Sequence, residues 1–234
     1  MNVFYGDETS LLIMRIGFLI VTMLYITDLV FLVPKYNKCK YDHTPRKQKL
    51  MWKGACIGVP LLSLLCGTAI NMVRGGVSVS EICMLVAMCL CAAGDIVIEI
   101  KFFKGGVLFA CGHFLYVSAL FMINKKITVL SIVIFLILAI GGTVLTIQKL
   151  SKKYRPYLIG YNLMISCTFA LSVPLILTGT PALICFGIGG CFLTVSDWLL
   201  AHNKVYKSSY GWSLLSLMLY FGGQILISAY PYLK

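Results

Sequence analysis

The chain has 234 residues, of which 59% are hydrophobic and 12% charged, against about 25% charged residues in an ordinary soluble domain. Twenty Lys and Arg residues and eight Asp and Glu residues give a net charge of +12. A soluble globular enzyme needs a polar surface that so few charges cannot supply, and a disordered chain needs far fewer apolar residues. Both classes are excluded, and the composition predicts a polytopic membrane protein.

Eight apolar segments follow one another along the chain, each near the length of about 20 residues that an α-helix needs to cross a bilayer. The predicted transmembrane helices cover residues 11–33, 52–73, 78–100, 104–123, 127–147, 155–178, 182–202 and 210–230. The connections between them are too short for a soluble domain. We therefore predict an all-α membrane protein in which residues 1–234 form a single bundle of eight transmembrane helices.

The basic residues lie in short runs between the apolar segments, which indicates contact with an anionic membrane surface and not with nucleic acid. The connections after the first, third, fifth and seventh helices, counted with the helix ends, hold fifteen of the twenty Lys and Arg residues. The positive-inside rule therefore predicts that these connections are cytoplasmic. Both termini are then expected on the opposite side of the membrane.

Ten cysteines and three histidines show no spacing typical of a disulfide framework or a metal site. Nine of the cysteines lie inside apolar segments, and the chain has no C-x-x-C or H-x-x-x-H pair. No phosphate-binding or dinucleotide-binding glycine motif occurs either. We expect the cysteines to be small packing residues, and we expect no metal and no other cofactor.

Three carboxyl groups lie inside predicted transmembrane helices: Asp28 in the first, Asp95 in the third and Asp197 in the seventh. Each is about 8–9 Å from the predicted cytoplasmic helix end at 1.5 Å per residue. Asn162 lies in the same half of the membrane, and His113 is nearer its middle. Charges inside a bilayer cost free energy, so these residues are candidate functional groups. The alternative interpretation is that they only join helices through hydrogen bonds.

Several sequence blocks occur in the same order as in a known family. They are Gly94-Asp95 with Phe103, Gly105, Phe109, His113 and Tyr116; Pro156 with Tyr161 and Met164; residues 190–201 with Ser196-Asp197; and residues 220–224, YFGGQ. The chain resembles the YhhN-type lysoplasmalogenase family of eight-helix membrane proteins. The resemblance implies hydrolysis of the vinyl-ether bond of lysoplasmalogens, which yields a fatty aldehyde and glycerophosphoethanolamine or glycerophosphocholine.

A vinyl ether resists base and is cleaved by acid, because protonation of its alkenyl carbon forms an oxocarbenium-like cation. Such a site needs a protonated carboxyl and a second carboxylate that stabilises the cation and activates water, as in glycosidases. We expect Asp95 and Asp197 to be this catalytic pair, and the sequence leaves open which of them is the acid. The residues expected to support the pair or to orient substrate are His113, Tyr116, Asn162, Ser196, Gln224 and Asp28.

The expected partner is a lysophospholipid that enters from the cytoplasmic leaflet. Its phosphate group is predicted to contact bases near the helix ends, namely Lys101, Lys104, Lys204 and Lys207. Anchoring by the positive-inside rule is the alternative explanation for these lysines.

Two other functions fit acids inside a helical bundle: a proton-coupled small-molecule transporter and a noncatalytic lipid-binding protein. An intramembrane aspartyl protease is disfavoured, because Ala92 stands where the G-x-G-D motif of those enzymes has its first glycine. The sequence does not indicate an oligomeric state.

Overall fold

The computed structural model describes residues 7–42, 44–125, 127–149, 155–206 and 209–234, with the backbone alone for residues 7–11, 145–149 and 204–206. The regular secondary structure in these ranges is helical. The helices are α1 (Asp7–Thr27), a π-helical turn (Asp28–Leu32), α2 (Val33–Tyr41), α3 (Arg46–Val73), α4 (Val79–Ile98), α5 (Phe102–Ile123), α6 (Val129–Lys149), α7 (Arg155–Ile176), α8 (Pro181–Tyr206), α9 (Tyr210–Ser228) and α10 (Tyr230–Leu233).

Each of the eight predicted transmembrane segments corresponds to a helix, and the prediction of a helical membrane protein is confirmed. Within the described residues, seven helical spans are long and apolar enough to cross a membrane. The first of them, Leu12–Tyr41, runs through the π-helical turn without a break. The helix α6 contributes a shorter apolar stretch, Val129–Val144, in the described part of the chain.

The first connection differs from the prediction. The predicted helix boundaries leave residues 34–51 as a basic loop, but α2 continues the first helix to Tyr41 and α3 begins at Arg46. Lys, Arg and Gln are good helix formers, and the helices therefore extend beyond their apolar segments. As a consequence, Lys53 lies two turns inside α3 and not at the edge of a loop.

Six helices form a closed ring. In this ring α3 packs on α4, α4 on α5, α5 on α7, α7 on α8, α8 on α9, and α9 on α3. The helix α6 packs on α7 from outside the ring, whereas α1, the π-helical turn and α2 pack on α3 and α9. Side chains on the inner faces of the six ring helices can therefore meet although they are far apart in the sequence.

The helices α8 and α9 approach closely at two glycines. A Cβ atom added to Gly189 would lie 2.8 Å from the carbonyl oxygen of Gly223, and one added to Gly223 would lie 2.7 Å from that of Gly189. Two turns along α8, Ser196 faces Ser216 on α9. Each serine hydroxyl donates a hydrogen bond to the other residue's backbone carbonyl, at 2.7 and 3.0 Å. Small residues allow membrane helices to pack closely, and this contact fixes the part of α8 that carries Asp197.

The π-helical turn keeps one face of the first helix buried. Met14, Val21 and Asp28 are buried at seven-residue intervals, but the next buried residue, Val33, follows after only five positions. In an uninterrupted α-helix with 3.6 residues per turn, five positions correspond to a rotation of about 140° away from this face. The wider π-helical turn returns Val33 to the buried face, so that Asp28 and Tyr36 both point into the protein.

Candidate active site

Asp95 near the end of α4 and Glu99, the residue directly after that helix, lie one turn apart, and both carboxylates contact the ammonium group of Lys53 on α3. Lys53 Nζ lies 3.3 Å from Asp95 Oδ1 and 3.1 Å from Glu99 Oε1. The side chains of Lys53 and Asp95 are 5% and 8% exposed. Removal of one partner from such a buried pair leaves an uncompensated charge, so the contact constrains both helices.

Glu99 forms the more exposed end of this ion-pair cluster, with 22% of its side chain accessible. Its Oε1 atom also accepts a 2.6 Å hydrogen bond from the hydroxyl of Tyr36. Burial by itself raises the pKa of Glu99, but the charge of Lys53 and the hydrogen bonds from Tyr36 and Lys53 outweigh it and hold the pKa below its ordinary value. Glu99 is therefore ionised at neutral pH and shares Lys53 with Asp95.

The other oxygen of Asp95 ends a chain of hydrogen bonds through α9 and α5. The hydroxyl of Tyr220 donates to Asp95 Oδ2 at 2.7 Å, and Gln224 Nε2 donates to the Tyr220 hydroxyl at 3.4 Å. Gln224 Oε1 in turn accepts a 2.8 Å hydrogen bond from the hydroxyl of Tyr116. All four side chains are buried, so the chain fixes the orientation of the Asp95 carboxyl group.

Asp197 on α8 is held by an imidazole and a phenol. Its Oδ2 atom lies 2.8 Å from His113 Nε2 and accepts a 2.8 Å hydrogen bond from the hydroxyl of Tyr161. On the other side of the ring, His113 Nδ1 lies 3.1 Å from Thr168 Oγ1. The Thr168 hydroxyl also donates to the backbone carbonyl of Met164 at 3.2 Å. His113 and Asp197 are 2% and 5% exposed, so this pair is screened from water.

The two carboxyl clusters adjoin inside the ring of helices. The His113 ring packs edge-on against Tyr116, which belongs to the Asp95 cluster, and against Tyr161, with centroid separations of 6.3 and 6.1 Å. Every ring helix supplies a member of the two clusters: Lys53 from α3, Asp95 from α4, His113 from α5, Tyr161 from α7, Asp197 from α8 and Tyr220 from α9.

A small cavity borders the Asp95 cluster between α3, α4 and α9. Asp95, Tyr220 and Gln224 supply its polar wall, and apolar side chains that include Met88 and Phe221 supply the rest. The empty space in this cavity is about 180 Å³, below the range of about 300–1,000 Å³ that is typical of pockets for small-molecule ligands.

A family model for the YhhN family matches residues 48–230. The chain belongs to the YhhN family. Comparisons with curated proteins and with solved structures give no match. The matched range begins just before Lys53 and extends through the last ring helix, so it includes both carboxyl clusters. Asp28 and Tyr36 lie outside it.

The structure brings together five of the residues that the YhhN-like blocks indicate as site residues: Asp95, Asp197, His113, Tyr116 and Gln224. Two residues of the same blocks join them, because Tyr161 and Tyr220 donate hydrogen bonds to the two aspartates.

Asn162 and Ser196, also expected near the site, make their hydrogen bonds elsewhere. Asn162 Nδ2 donates to the carbonyl of Ala139 on α6 at 3.1 Å, and its Oδ1 atom accepts from Trp198 Nε1 at 3.3 Å. The amide therefore joins α7 to α6, which lies outside the ring, and to the neighbouring α8. Ser196 is bonded to Ser216 in the contact between α8 and α9. These contacts match the alternative interpretation of hydrogen bonds between helices.

Asp28 lies outside the ring, between the first helix and α3. Its side chain is fully buried against the thiol of Cys56. Neither carboxyl oxygen has an N–H or O–H partner among the described residues. The expected supporting role at the Asp95–Asp197 pair therefore has no direct contact to act through in this part of the chain.

The four lysines predicted to bind phosphate are not equally described. Lys101 and Lys104 are exposed at the start of α5. Lys204 lies in α8 without a described side chain, and Lys207 lies outside the described residues. A role for any of them in phosphate binding stays a prediction.

Sequence reasoning missed Lys53, Tyr36 and Glu99 as parts of the site. Lys53 is one of the fifteen bases counted near helix ends, but it shares a helical face with Cys56 and Pro60 at i+3 and i+7. Because residues at these spacings line one side of a helix, the buried face of α3 includes a charged residue. That periodicity is the signal that indicates an intramembrane partner for a carboxylate.

Proposed function

We propose that this YhhN-family protein hydrolyses the vinyl-ether bond of lysoplasmalogens by acid catalysis with Asp95 and Asp197. The observation that carries the proposal is the pair of adjoining buried carboxyl clusters, one with an ammonium partner and one with an imidazole partner. Two carboxyl groups in unlike environments are what acid-catalysed cleavage through an oxocarbenium-like cation needs.

The reaction begins with transfer of a proton to carbon 2 of the alkenyl chain, which leaves the positive charge on carbon 1 and the ether oxygen. A carboxylate stabilises this cation and takes a proton from the water that adds to carbon 1. The hemiacetal then collapses to the aldehyde and the glycerol hydroxyl. One water is consumed: its oxygen becomes the aldehyde oxygen, one of its protons replaces the proton given to carbon 2, and the other ends on the glycerol oxygen.

The surroundings of Asp95 favour a single-chain lipid as substrate. The cavity beside this carboxyl has apolar walls on α3, α4 and α9, and it would have to widen to admit an alkenyl chain. Of the four lysines predicted to bind phosphate, Lys101 and Lys104 at the start of α5 have described side chains, and both are exposed. Hydrolysis would then take place where the hydrocarbon chain meets the polar headgroup.

Incubation of the purified protein in D₂O with a lysoplasmalogen and with an ester lysophospholipid tests the proposal. We expect fatty aldehyde from the lysoplasmalogen alone, with a single deuterium at carbon 2, because carbon protonation places it there. Protein carrying both Asp95→Asn and Asp197→Asn is the control. Free fatty acid from the ester lipid, or no aldehyde from folded protein, would contradict the proposal.

A proton-coupled transporter is the second candidate, and one observation favours it. Side chains from Glu99 through Lys53, Asp95 and Tyr220 to Gln224 form a connected polar chain inside the helices, and such chains occur in proton relays. Transport predicts pH-driven flux of an intact solute into liposomes without aldehyde release, so the two functions give opposite results in the same vesicles.

A further inference from the structure

The hydrogen bonds around Asp95 all run toward it. Gln224 Oε1 accepts from Tyr116, so the amide of Gln224 donates to the hydroxyl of Tyr220. The proton of Tyr220 therefore points to Asp95 Oδ2. The other oxygen, Oδ1, faces the ammonium group of Lys53, which has no acceptor. Both carboxylate oxygens thus accept hydrogen bonds, and neither Tyr220 nor Lys53 can accept a proton from Asp95 in these contacts.

The hydrogen bonds around Asp197 differ, because His113 can donate or accept. The Thr168 hydroxyl gives its proton to the carbonyl of Met164, so its oxygen accepts from His113 Nδ1. With Nδ1 protonated, the 2.8 Å contact between Nε2 and Asp197 Oδ2 needs a second proton, on one atom or the other. The His113–Asp197 pair therefore holds a proton in the resting protein, whereas both partners of Asp95 donate hydrogen bonds to it.

We propose that Lys53 is a positioning residue that fixes Asp95 as the ionised carboxylate, so that the proton given to substrate comes from the His113–Asp197 pair. The catalytic roles rest on the proposed hydrolysis, whereas the protonation states do not. In the reaction, the pair gives its proton to carbon 2 of the alkenyl chain, and Asp95 stabilises the cation. Water then adds to carbon 1 and passes a proton to Asp95, from which the pair is reprotonated.

Infrared difference spectroscopy of the intact protein in detergent at neutral pH tests the protonation states without turnover. We expect Asp95→Asn to remove no carbonyl band of a protonated carboxylic acid. We expect Asp197→Asn to remove such a band or, where the imidazole holds the proton, to convert the ring bands of a His113 imidazolium to those of neutral histidine. Loss of a protonated-carboxyl band in Asp95→Asn, or neither change in Asp197→Asn, would overturn the proposal.

Lys53 itself is tested in a Glu99→Gln background, so that a single carboxylate remains beside it. There Lys53→Met is expected to add a protonated-carboxyl band that a further Asp95→Asn removes. Lys53→Arg keeps the positive charge and is expected to add no band. An unchanged spectrum in folded Lys53→Met protein would overturn the role of Lys53, and the comparison of Asp95→Asn with wild type decides the case if the Lys53 variant does not fold.

The pH profile of kcat/KM for aldehyde release gives an independent readout. Besides His113 and Glu99, the titratable groups that face Asp95 or Asp197 are Tyr36 on α2, Lys53 and Cys56 on α3, Cys91 on α4, Tyr157 and Tyr161 on α7, and Tyr220 on α9. Of these groups, Lys53 carries the positive charge that contacts Asp95 and can stabilise its ionised carboxylate. In the Glu99→Gln background we expect Lys53→Met to move the acid limb to higher pH by about one unit or more, with the alkaline limb unmoved. A uniform loss of rate at all pH values would indicate a structural role and overturn the proposal.

If no aldehyde forms while the infrared spectra behave as expected, the proposed function fails and the protonation assignment stands. If aldehyde forms but Asp95→Asn removes the protonated-carboxyl band, the function stands and the assignment fails. The two failures are therefore distinguishable.

Discussion

Burial of Asp95 and Asp197 in the ring is offset by different partners, and this difference determines what each substitution does to the structure. Asp95→Asn removes a partner of Lys53, but Glu99 remains 3.1 Å from the ammonium group. Asp197→Asn leaves no Lys or Arg without its partner, and the amide oxygen can still accept the hydrogen bond from Tyr161. Both variants are therefore expected to fold, which makes them suitable for kinetic tests.

Asp95→Asn and Asp197→Asn are each expected to lower aldehyde release by about 10²–10⁴-fold, the usual contribution of general acid–base catalysis. Turnover is measured on protein that elutes as a single species in gel filtration. Asp28→Asn is the matched control with a smaller effect, because Asp28 lies outside the ring. Near-normal turnover in both active-site variants would exclude the aspartate-pair mechanism.

The ion pair of Glu99 with Lys53 is expected to make the thermal stability of the protein depend on pH. The pKa of Glu99 in the folded protein lies below the ordinary value of 4.5, so its stabilising contribution is present above that pH and is lost as the pH falls through the folded value. Wild-type protein should therefore unfold at a higher temperature than Glu99→Gln at neutral pH. The difference should shrink as the pH falls below about 4.5, in thermal unfolding followed by circular dichroism. A constant difference across this range would contradict the ion-pair explanation.

At the scale of single residues, the sequence identified the two aspartates as intramembrane carboxyl groups, but it could not give their partners. Tyr36 was not predicted, because the sequence alone does not indicate that α2 continues beyond its apolar segment. Lys53 lies inside a predicted helix, and only its spacing from Cys56 and Pro60 indicates that it is buried. Asn162 is polar and intramembrane like His113, yet it bonds to α6. Two polar residues in apolar helices look alike until the faces that they present to neighbours are known.

The side chain of Asn162 on α7 forms a hydrogen bond to α6, and its removal tests how much this bond contributes to stability. Asn162→Ala leaves the carbonyl of Ala139 without its side-chain donor and Trp198 Nε1 without an acceptor, and we expect a loss of about 1–3 kcal/mol in stability. Ser166→Ala is the matched control one turn along α7, since the Ser166 hydroxyl has no hydrogen-bond partner among the described residues. Thermal unfolding should separate the two variants.

Turnover per folded molecule should fall much less in Asn162→Ala than in Asp197→Asn, because the Asn162 amide contacts neither aspartate in the described structure. A loss as large as that of Asp197→Asn would instead place Asn162 in the catalytic chemistry.

At the scale of elements, apolar length and composition were sufficient to predict a helix in each of the eight segments, and the structure has a helix in each. Helix ends were predicted less well between Val33 and Trp52, where α2 and α3 continue beyond their apolar segments. Packing partners were not predictable from chain order. The helix α5 packs on α7 and α6 is displaced to the outside, which suits α6 because Val129–Val144 contains no charged residue.

For the whole molecule, the asymmetry of basic residues predicts which end of the ring faces the cytoplasm. Lys101 is exposed between α4 and α5, and Arg74 is exposed after α3 at the opposite end of α4. In intact cells, a membrane-impermeant maleimide should label Arg74→Cys from the non-cytoplasmic side. Lys101→Cys should react only after the membrane is opened.

Wild-type protein is the control for this labelling, because the exposed native cysteines Cys66, Cys89 and Cys111 lie within transmembrane helices. The reverse pattern would put the Glu99 end of the ring, and the expected entrance for substrate, on the non-cytoplasmic side.

The π-helical turn at Asp28–Leu32 has the geometry of a one-residue insertion into an ordinary helix. Without one residue, Val33 would follow Asp28 after four positions, a rotation of about 40° in a regular α-helix, and both would still share a face. Deletion of Val30, whose side chain is 56% exposed, should therefore give a continuous α-helix with unfolding temperature equal to or above that of wild type. The first helix would thus carry an extra residue that its fold does not require, and a loss of turnover in the deletion variant would indicate that the insertion serves function by setting where Asp28 and Tyr36 lie relative to each other.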